Sequence, residues 1–359
     1  MIAPRNNADK RETGRIPGLD TMRALAAFWV FVFHLGVSCD RSNLGNGFGM
    51  AFCGPAAVIV FFIISGFCIH YPYRNGRPRP STLVFWIRRY ARIGIPLLAG
   101  LFLAPYFKLS SHGLIAIAGW SILVELWLYT VYPFLRLPGK SRWLWMELLV
   151  LAFAFGWGVV LWRRPTDYGS WGHLFNWTLA LPCWLLGVWW AETFDAQGRR
   201  CPSRRRLWVL RALTWGASAV CAGLHSRNVI HYPWSLNLFA LLAAVWLKNE
   251  VEHACAGHVW RFGEWMGKWS YSLYLMHGLA LTWVHELLKE KSGLPPGLHV
   301  ALGVSLTFLA SYGFYLLVEF PSHRVARQLA NGLSRVGAHG RAKIDSMGKG
   351  CVTRGGGVL

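Results

Sequence analysis

Apolar residues along the chain fall into long runs that are separated by short polar or basic segments. Each run has about 17 to 25 residues, the length at which an α-helix crosses the hydrocarbon core of a bilayer. The pattern predicts an all-α fold, a polytopic membrane helix bundle of about ten transmembrane helices. The predicted spans lie near residues 18–38, 51–72, 83–106, 112–135, 143–162, 172–191, 207–224, 229–247, 268–288 and 297–320.

The segments outside these spans are polar, basic or glycine-rich, and they set the predicted domain boundaries. Residues 1–15 form a basic N-terminus that we expect to be disordered, and residues 16–328 form one membrane domain. Residues 329–359 are rich in glycine and basic, which predicts a flexible tail. The first span follows a basic segment without a small-residue cleavage site, so we expect it to remain as an uncleaved anchor.

The net charge of +21 would suit a nucleic-acid-binding protein, but the distribution of the charge does not. Lysine and arginine cluster in alternate loops, as membrane orientation requires, and no nucleic-acid-binding motif accompanies them. The bias predicts that both termini lie in the cytoplasm (N-in/C-in). The eight cysteines show no CxxC pair and no metal-ligand spacing, so no metal site is predicted. Cys39 and Cys53 flank one predicted external loop and are either a disulfide or two free thiols.

Arg23 and His34 lie eleven residues apart in the first predicted helix. Eleven residues bring a helix back to almost the same face, about 16 Å further along its axis. Ionisable groups are costly within lipid and usually face protein or a water-filled cavity, so the two side chains are candidates for a functional site. The alternative is that Arg23 extends to the membrane surface and His34 lies in the opposite interface.

Counting residues from the predicted membrane boundaries sorts the polar side chains into two groups. The inner group is basic and contains the small residues of the second and ninth spans: Arg23, Ser65, Gly66, Arg89, Arg92, Ser270 and Tyr271. The outer group pairs His34 with Glu125. A carboxylate beside an imidazole can fix its tautomer, which suits proton transfer. A lone carboxylate in the membrane costs roughly 3 kcal/mol on insertion scales, which favours a functional Glu125.

Structural alternatives exist for several of these residues. Arg88 fits best as a positive-inside anchor, and the other arginines could be anchors as well. Ser65 and Gly66 could form a contact of small residues between helices. His277, near the middle of the ninth span, could be a core histidine whose hydrogen bonds are satisfied.

Six segments, in order along residues 16–328, together resemble the acyltransferase-3 family of bacterial membrane acyltransferases. The opening RIPGLDTMRALAAFWVFVFHLG resembles the family's Arg/Lys, ten residues and His. Arg89 to Arg92 fit its R-x-x-R motif, although the following proline is displaced by Gly94 and Ile95. A second acidic residue often follows the glutamate of the W-S-x-x-x-E segment, and here that position is Leu126. The remaining matches are VIVFFIISGFCI, WSILVELWLYTVYP, WSYSLYLMHGLA and the E-x-P of Glu319 to Pro321.

The resemblance implies a stand-alone membrane O-acyltransferase, without a soluble SGNH domain, in the bacterial inner membrane. Its expected reaction moves an acyl group, most often acetyl, from acetyl-CoA or another acyl-CoA to a hydroxyl of an extracytoplasmic or lipid-linked glycan. The acyl-CoA is a co-substrate, and no bound cofactor is expected. We expect the inner arginines to hold the phosphates of the acyl-CoA, with Ser65, Gly66, Ser270 and Tyr271 beside them. His34 is the expected general base, oriented by Glu125, and an acyl-His34 intermediate is a variant.

Two other classes of function are compatible with the same composition. A transporter or flippase for a lipid-linked sugar or acyl donor would also carry buried charges, but the sequence shows no internal repeat of the transporter kind. If the chain were a structural membrane partner, substitution of His34 or Glu125 would not affect glycan chemistry.

Overall fold

The computed structural model of the protein describes residues 16–38, 51–76, 80–107, 119–135, 142–170, 172, 174–194, 201–289 and 296–334. Within these residues the regular structure is helical. The helices, in chain order, are α1 (Leu19–Ser38), α2 (Gly54–His70), α3 (Thr82–Leu103), α4 (Trp120–Leu135), α5 (Arg142–Arg163), α6 (Asn176–Thr193), α7 (Arg204–Ser226), α8 (Tyr232–Cys255), α9 (Arg261–Gly267), α10 (Ser270–Lys289) and α11 (Pro296–Phe314).

A long helix lies in each of the ten predicted spans, which confirms the prediction of an all-α membrane bundle. Five helical segments among the described residues are both long and apolar enough to cross a membrane. The number that cross and the N-in/C-in orientation remain predictions. The last helical segment, Val300–Ser334, extends six residues into the predicted tail. The rest of that tail, the N-terminal segment 1–15 and Cys39 lie outside the described residues.

Helix α2 forms the centre of the bundle because almost its whole length is buried against other helices. Of its 17 residues, 14 are buried, and it packs most extensively against α6, α1 and α8. Two glycines permit the contact with α6. A Cβ atom added to Gly66 would lie 2.0 Å from the carbonyl oxygen of Trp184, and one added to Gly187 would lie 1.9 Å from that of Ile63. Close approach of two backbones at small residues is how membrane helices associate.

The start of α1 is held by a carboxylate from the short helix α9. Glu264 Oε1 accepts hydrogen bonds from the backbone nitrogens of Gly18 (2.9 Å) and Thr21 (3.1 Å) and from the Thr21 hydroxyl (2.7 Å). Gly18 has φ of +91°, a conformation that favours glycine, where the chain turns into the helix. The Glu264 carboxylate thus accepts hydrogen bonds from N–H groups that the helix leaves unpaired at its N-terminus, and it holds in place the first turns of α1, which carry Arg23.

The end of α11 departs from α-helical geometry at a π-helical turn, Tyr315–Glu319, after which the helix continues through residues 320–334. Turns of this kind are frequent at functional sites. Here the turn directs Glu319, which is 2% exposed, toward the start of α10. Glu319 Oε2 accepts hydrogen bonds from the Ser272 backbone nitrogen (3.0 Å) and hydroxyl (2.5 Å).

Candidate functional site

A cavity of about 880 Å³ lies among α1, α2, α3, α4, α10 and the segment after α11. Most of the residues that the sequence placed in the inner group line it. These are Arg23, Ser65, Arg89, Arg92, Ser270 and Tyr271, together with Glu125, Tyr129, Tyr274, Glu319 and His323. The cavity thus brings together residues from distant parts of the chain.

Basic side chains dominate the ionisable groups of the cavity wall. Six lysines and arginines line the cavity, compared with three carboxylates. Arg23 donates to Asp20 Oδ1 (2.8 Å) and to Cys68 Sγ (3.1 Å). Arg88, predicted to be a membrane anchor, also lies on the wall. The six basic residues are Arg23, Arg88, Arg89, Arg92, Lys268 and Arg327.

The three arginines of α3 lack anionic partners among the residues that the structure describes. The buried Nε atoms of Arg88 and Arg89 have no hydrogen-bond partner. The Arg89 guanidinium lies 5.9 Å from the centre of the Tyr129 ring, which is a cation–π distance and not an ion pair. Within the described chain, no ion pair involves Arg92. Arg88 and Arg89 are half-buried and Arg92 is exposed at the cavity, and guanidinium groups without a partner on a cavity wall favour an anionic ligand.

Glu125 belongs to this cavity and is held by two hydroxyl groups. Ser65 Oγ donates to Glu125 Oε1 at 2.7 Å, and the Tyr129 hydroxyl donates to the same oxygen. Ser65 Oγ also lies 3.4 Å from the Trp184 indole nitrogen, which donates to it. The sequence placed Ser65 at the inner depth and Glu125 at the outer depth, and the hydrogen bond between them shows that this separation is wrong.

The predicted pairing of Glu125 with His34 is therefore corrected. Glu125 Oε1 accepts hydrogen bonds from Ser65 and Tyr129. His34 Nδ1 instead lies within hydrogen-bond distance of the Val30 carbonyl and of His277 Nε2. Depth was counted from the predicted ends of the spans and not from the packed helices. Counting also ignores helix tilt and sideways offset, which decide whether two side chains on different helices meet.

Gly66 is a packing residue, which corrects its assignment to the donor-binding group. It does not line the cavity, and a side chain at this position would collide with the backbone of α6. Gly66 instead forms the contact of small residues between helices that was the alternative prediction from the sequence. Its neighbour Ser65 nevertheless reaches the cavity and Glu125.

Ser270 and Tyr271 line the cavity, but their hydroxyl groups bind backbone carbonyls. The Ser270 hydroxyl donates to the carbonyl of Gly267 at 2.9 Å, at the start of α10. The Tyr271 hydroxyl donates to the carbonyl of Ile93 at 3.0 Å and so links α10 to α3. This second bond ties α10 to the helix that supplies Arg88, Arg89 and Arg92.

His34 lies outside the cavity lining, half-buried, in contact with a second histidine that the sequence left as a possible core residue. His277 is fully buried, and its Nε2 lies 3.2 Å from His34 Nδ1. His277 Nδ1 lies 2.6 Å from the carbonyl of Tyr274, and His34 Nδ1 lies 3.0 Å from that of Val30. The histidine pair thus connects α1 with α10.

When both rings are neutral, these contacts decide their tautomers. A carbonyl only accepts hydrogen bonds, so His277 Nδ1 carries the proton that it donates to Tyr274, and its Nε2 is left as an acceptor. His34 Nδ1 then faces two acceptors, Val30 O and His277 Nε2, and must carry its proton there. The free lone pair of His34 is consequently on Nε2, where a general base needs it.

Four residues on the cavity wall, Glu319, Tyr129, Tyr274 and His323, were not predicted as site residues from the sequence. Glu319 was quoted only as part of a family-like segment, and Tyr129 lies one turn after Glu125 on the same helix face. Tyr274 gave no separate signal. Spacing of four residues, as between Glu125 and Tyr129 or Glu319 and His323, is the signal that would have found Tyr129 and His323.

Comparisons with known proteins agree with the family resemblance. A family model of the acyltransferase domain, Acyl_transf_3, matches residues 16–316 and so spans most of the chain. Neither the curated proteins nor the solved structures contain a match to the chain.

Proposed function

Since the chain belongs to the acyltransferase-3 family and is an integral membrane acyltransferase, we propose that it moves an acyl group from acyl-CoA to a glycan hydroxyl. Acetyl-CoA is the proposed donor, held from the cytoplasmic side. The proposed acceptor is an extracytoplasmic or lipid-linked glycan of the exopolysaccharide or lipopolysaccharide type. The proposed location is the bacterial inner membrane.

The cavity wall with three unpaired arginines is the observation that carries the proposal. Coenzyme A presents phosphate groups, and guanidinium groups bind phosphate through paired, charge-assisted hydrogen bonds. Arg89 and Arg92, with Arg23 opposite them, are the proposed phosphate ligands. Glu125, held by Ser65 and Tyr129, is assigned to the donor cavity, where it orients the Tyr129 ring beneath the Arg89 guanidinium.

His34 supplies the base for the proposed transfer. Nε2 of His34 accepts the proton of the sugar hydroxyl as the oxygen attacks the thioester carbonyl. The tetrahedral intermediate then collapses, the carbon–sulfur bond breaks, and the leaving thiolate takes the proton from His34. The products are an ester and free CoA thiol, and His34 returns to its starting tautomer.

The test uses purified protein in lipid nanodiscs with acetyl-CoA and a candidate polysaccharide acceptor. Free thiol and ester-linked acetyl are measured in the same sample, and His34→Ala is expected to lower both by about 10²- to 10⁴-fold, the range for loss of a general base. His231→Ala, at the start of α8 and outside the cavity, is the matched control. Full activity in folded His34→Ala would overturn the proposed mechanism.

The same experiment separates acyl transfer from the other classes of function. A transporter or flippase would move its cargo without releasing thiol from acetyl-CoA, and a structural partner would leave both readouts at background. Mass spectrometry of the quenched protein tests the variant mechanism, since a covalent acyl-His34 would add one acetyl mass to the peptide that contains this residue.

A further inference from the structure

Two histidines and a cysteine meet at the ends of α7 and α8, apart from the cavity and from the histidine pair. The candidate ligand atoms of Cys201, His253 and His258 all lie within 4.8 Å of one another. Cys201 Sγ is 3.6 Å from His253 Nδ1, and the rings of His253 and His258 are stacked with their centres 4.1 Å apart. Cys201 and His258 are exposed, so a metal ion has access to the cluster.

A turn at the end of α8 and the cap at the start of α7 bring the three residues together. Helix α8 ends at Cys255, and Gly257, with φ of +106°, reverses the chain so that His258 lies over His253. The backbone nitrogen of His258 donates to the carbonyl of His253 at 3.4 Å, which closes this turn. Cys201 lies just before Ser203, whose hydroxyl caps the start of α7. The cluster is therefore built on the ends of two packed helices.

We propose that Cys201, His253 and His258 form a binding site for a divalent transition metal, with Zn²⁺ as the ion of best fit. Thiolate and imidazole are the ligands that Zn²⁺ prefers. Tetrahedral zinc with ordinary bond lengths places a sulfur and a nitrogen ligand about 3.6 Å apart, the separation seen between Cys201 and His253. Three protein ligands leave the fourth position for water or for another group.

The charges around the cluster are compatible with a bound cation. Glu250, Arg211 and Arg204 are the charged residues whose fields act on His253 together with the neighbouring His258. Arg211 and Glu250 form a two-pronged ion pair, with distances of 2.6 and 2.9 Å, and so compensate each other. The thiolate of Cys201 would then balance Arg204. Within the described residues, neither ring nitrogen of His258 has a hydrogen-bond partner that a metal would have to displace.

No metal site was predicted from the sequence, because the three residues form no short motif. His253 and His258 are five residues apart, but Cys201 lies 52 residues before His253. The helical hairpin of α7 and α8 closes that distance. A ligand set contributed by two helix ends can be recognised only after the helices are packed.

The experiment uses the full chain, purified through an affinity tag without histidine and stripped with a chelator. Zn²⁺ is titrated by calorimetry, and Co²⁺ is titrated by absorption spectroscopy, because thiolate-to-cobalt charge transfer reports a cysteine ligand directly. We expect one ion per chain. Cys201→Ser and His258→Ala should each lower the affinity at least about tenfold, because even substitution of residues that only support metal ligands causes a loss of that size. Cys255→Ser and His231→Ala should bind as the natural protein does.

Three results would overturn the proposal. The first is no binding of Zn²⁺ or Co²⁺ by the folded, stripped protein, which would leave a hydrogen-bonded cysteine–histidine pair only. The second is binding that is unchanged in Cys201→Ser, which would indicate a surface histidine pair without the thiolate. The third is equal loss in the Cys255→Ser control. Acyl transfer is measured separately, so failure of the metal site and failure of the proposed function remain distinguishable.

Discussion

Replacement of His277 by alanine tests whether the second histidine holds His34 in its catalytic tautomer. His277 is fully buried, and its Nε2 is one of two acceptors for the proton on His34 Nδ1. Removal leaves the carbonyl of Val30 as the remaining acceptor. The His34 ring then gains freedom to rotate and to exchange its tautomer, while the lining residues of the cavity proposed to bind the acyl-CoA are unchanged.

The expected loss follows from the hydrogen bond and from the orientation that it provides. One hydrogen bond contributes about 0.5–1.5 kcal/mol, which is a factor of about 2 to 12 in rate. A misplaced catalytic group can cost about 10²-fold. We therefore expect kcat to fall by about 3- to 100-fold in His277→Ala, with KM for acetyl-CoA within about twofold of its starting value, because the phosphate ligands stay in place.

The assay is thiol release from acetyl-CoA with a saturating glycan acceptor, at matched amounts of folded protein. His277→Gln should recover part of kcat because its side-chain oxygen can accept the proton of His34 Nδ1. Leu279→Ala, at another fully buried position of α10, creates a comparable cavity without touching His34 and should retain kcat. Equal losses in Leu279→Ala and His277→Ala would refute the positioning role and indicate a general loss of packing.

Three further changes probe the proposed donor cavity and the packing that supports it. Arg92→Gln should raise KM for acetyl-CoA by about 10- to 150-fold, the equivalent of one charge-assisted hydrogen bond of about 1.5–3 kcal/mol, whereas the exposed Arg163→Gln should not. Gly66→Ala should lower stability in a detergent melting assay by about 1–3 kcal/mol or more, because the new Cβ meets the α6 backbone. Gly158→Ala, with open space at its Cβ position, should not lower it. Glu264→Ala removes three hydrogen bonds from the start of α1 and should lower the melting temperature more than Glu264→Gln, which keeps the acceptor. A Glu264→Ala melting curve like that of the natural protein would contradict the capping role.

The positions of the helices could be predicted because run length is a strong physical constraint. A helix within lipid must satisfy its own backbone groups over the thickness of the bilayer, so an apolar run of sufficient length has few alternatives. The basic group around Arg23, Arg89 and Arg92 was likewise predicted, since helix ends carrying arginine at one depth approach each other in a compact bundle. Depth alone does not decide between membrane anchors and ligands of an anion, and the structure adds that these arginines line one cavity.

The pairing of individual side chains could not be predicted, because it depends on rotation and tilt of whole helices. Glu125 was assigned to His34 from depth alone, yet it bonds to Ser65, 60 residues earlier in the chain. Gly66 was predicted to bind the donor, yet it is a packing residue, because a larger side chain would collide with a carbonyl oxygen of α6. The partner of His34 lies 243 residues away, and its identity decides the tautomer. One-residue errors in rotation, about 100°, are enough to exchange such partners.

Two helices extend from the cavity to the histidine pair, and under the proposed function this arrangement bears on how the acyl group reaches its acceptor. Helix α1 carries Arg23 in the cavity and His34 eleven residues, or about 16 Å, further along. Helix α10 carries Tyr274 on the cavity wall, and the carbonyl of Tyr274 accepts a hydrogen bond from His277 Nδ1. Because Tyr274 contacts both the cavity and His277, little protein separates the cavity from the histidine pair at this position. We therefore expect the acyl arm to pass along the contact of α1 with α10, where a bulky residue would block transfer without weakening phosphate binding.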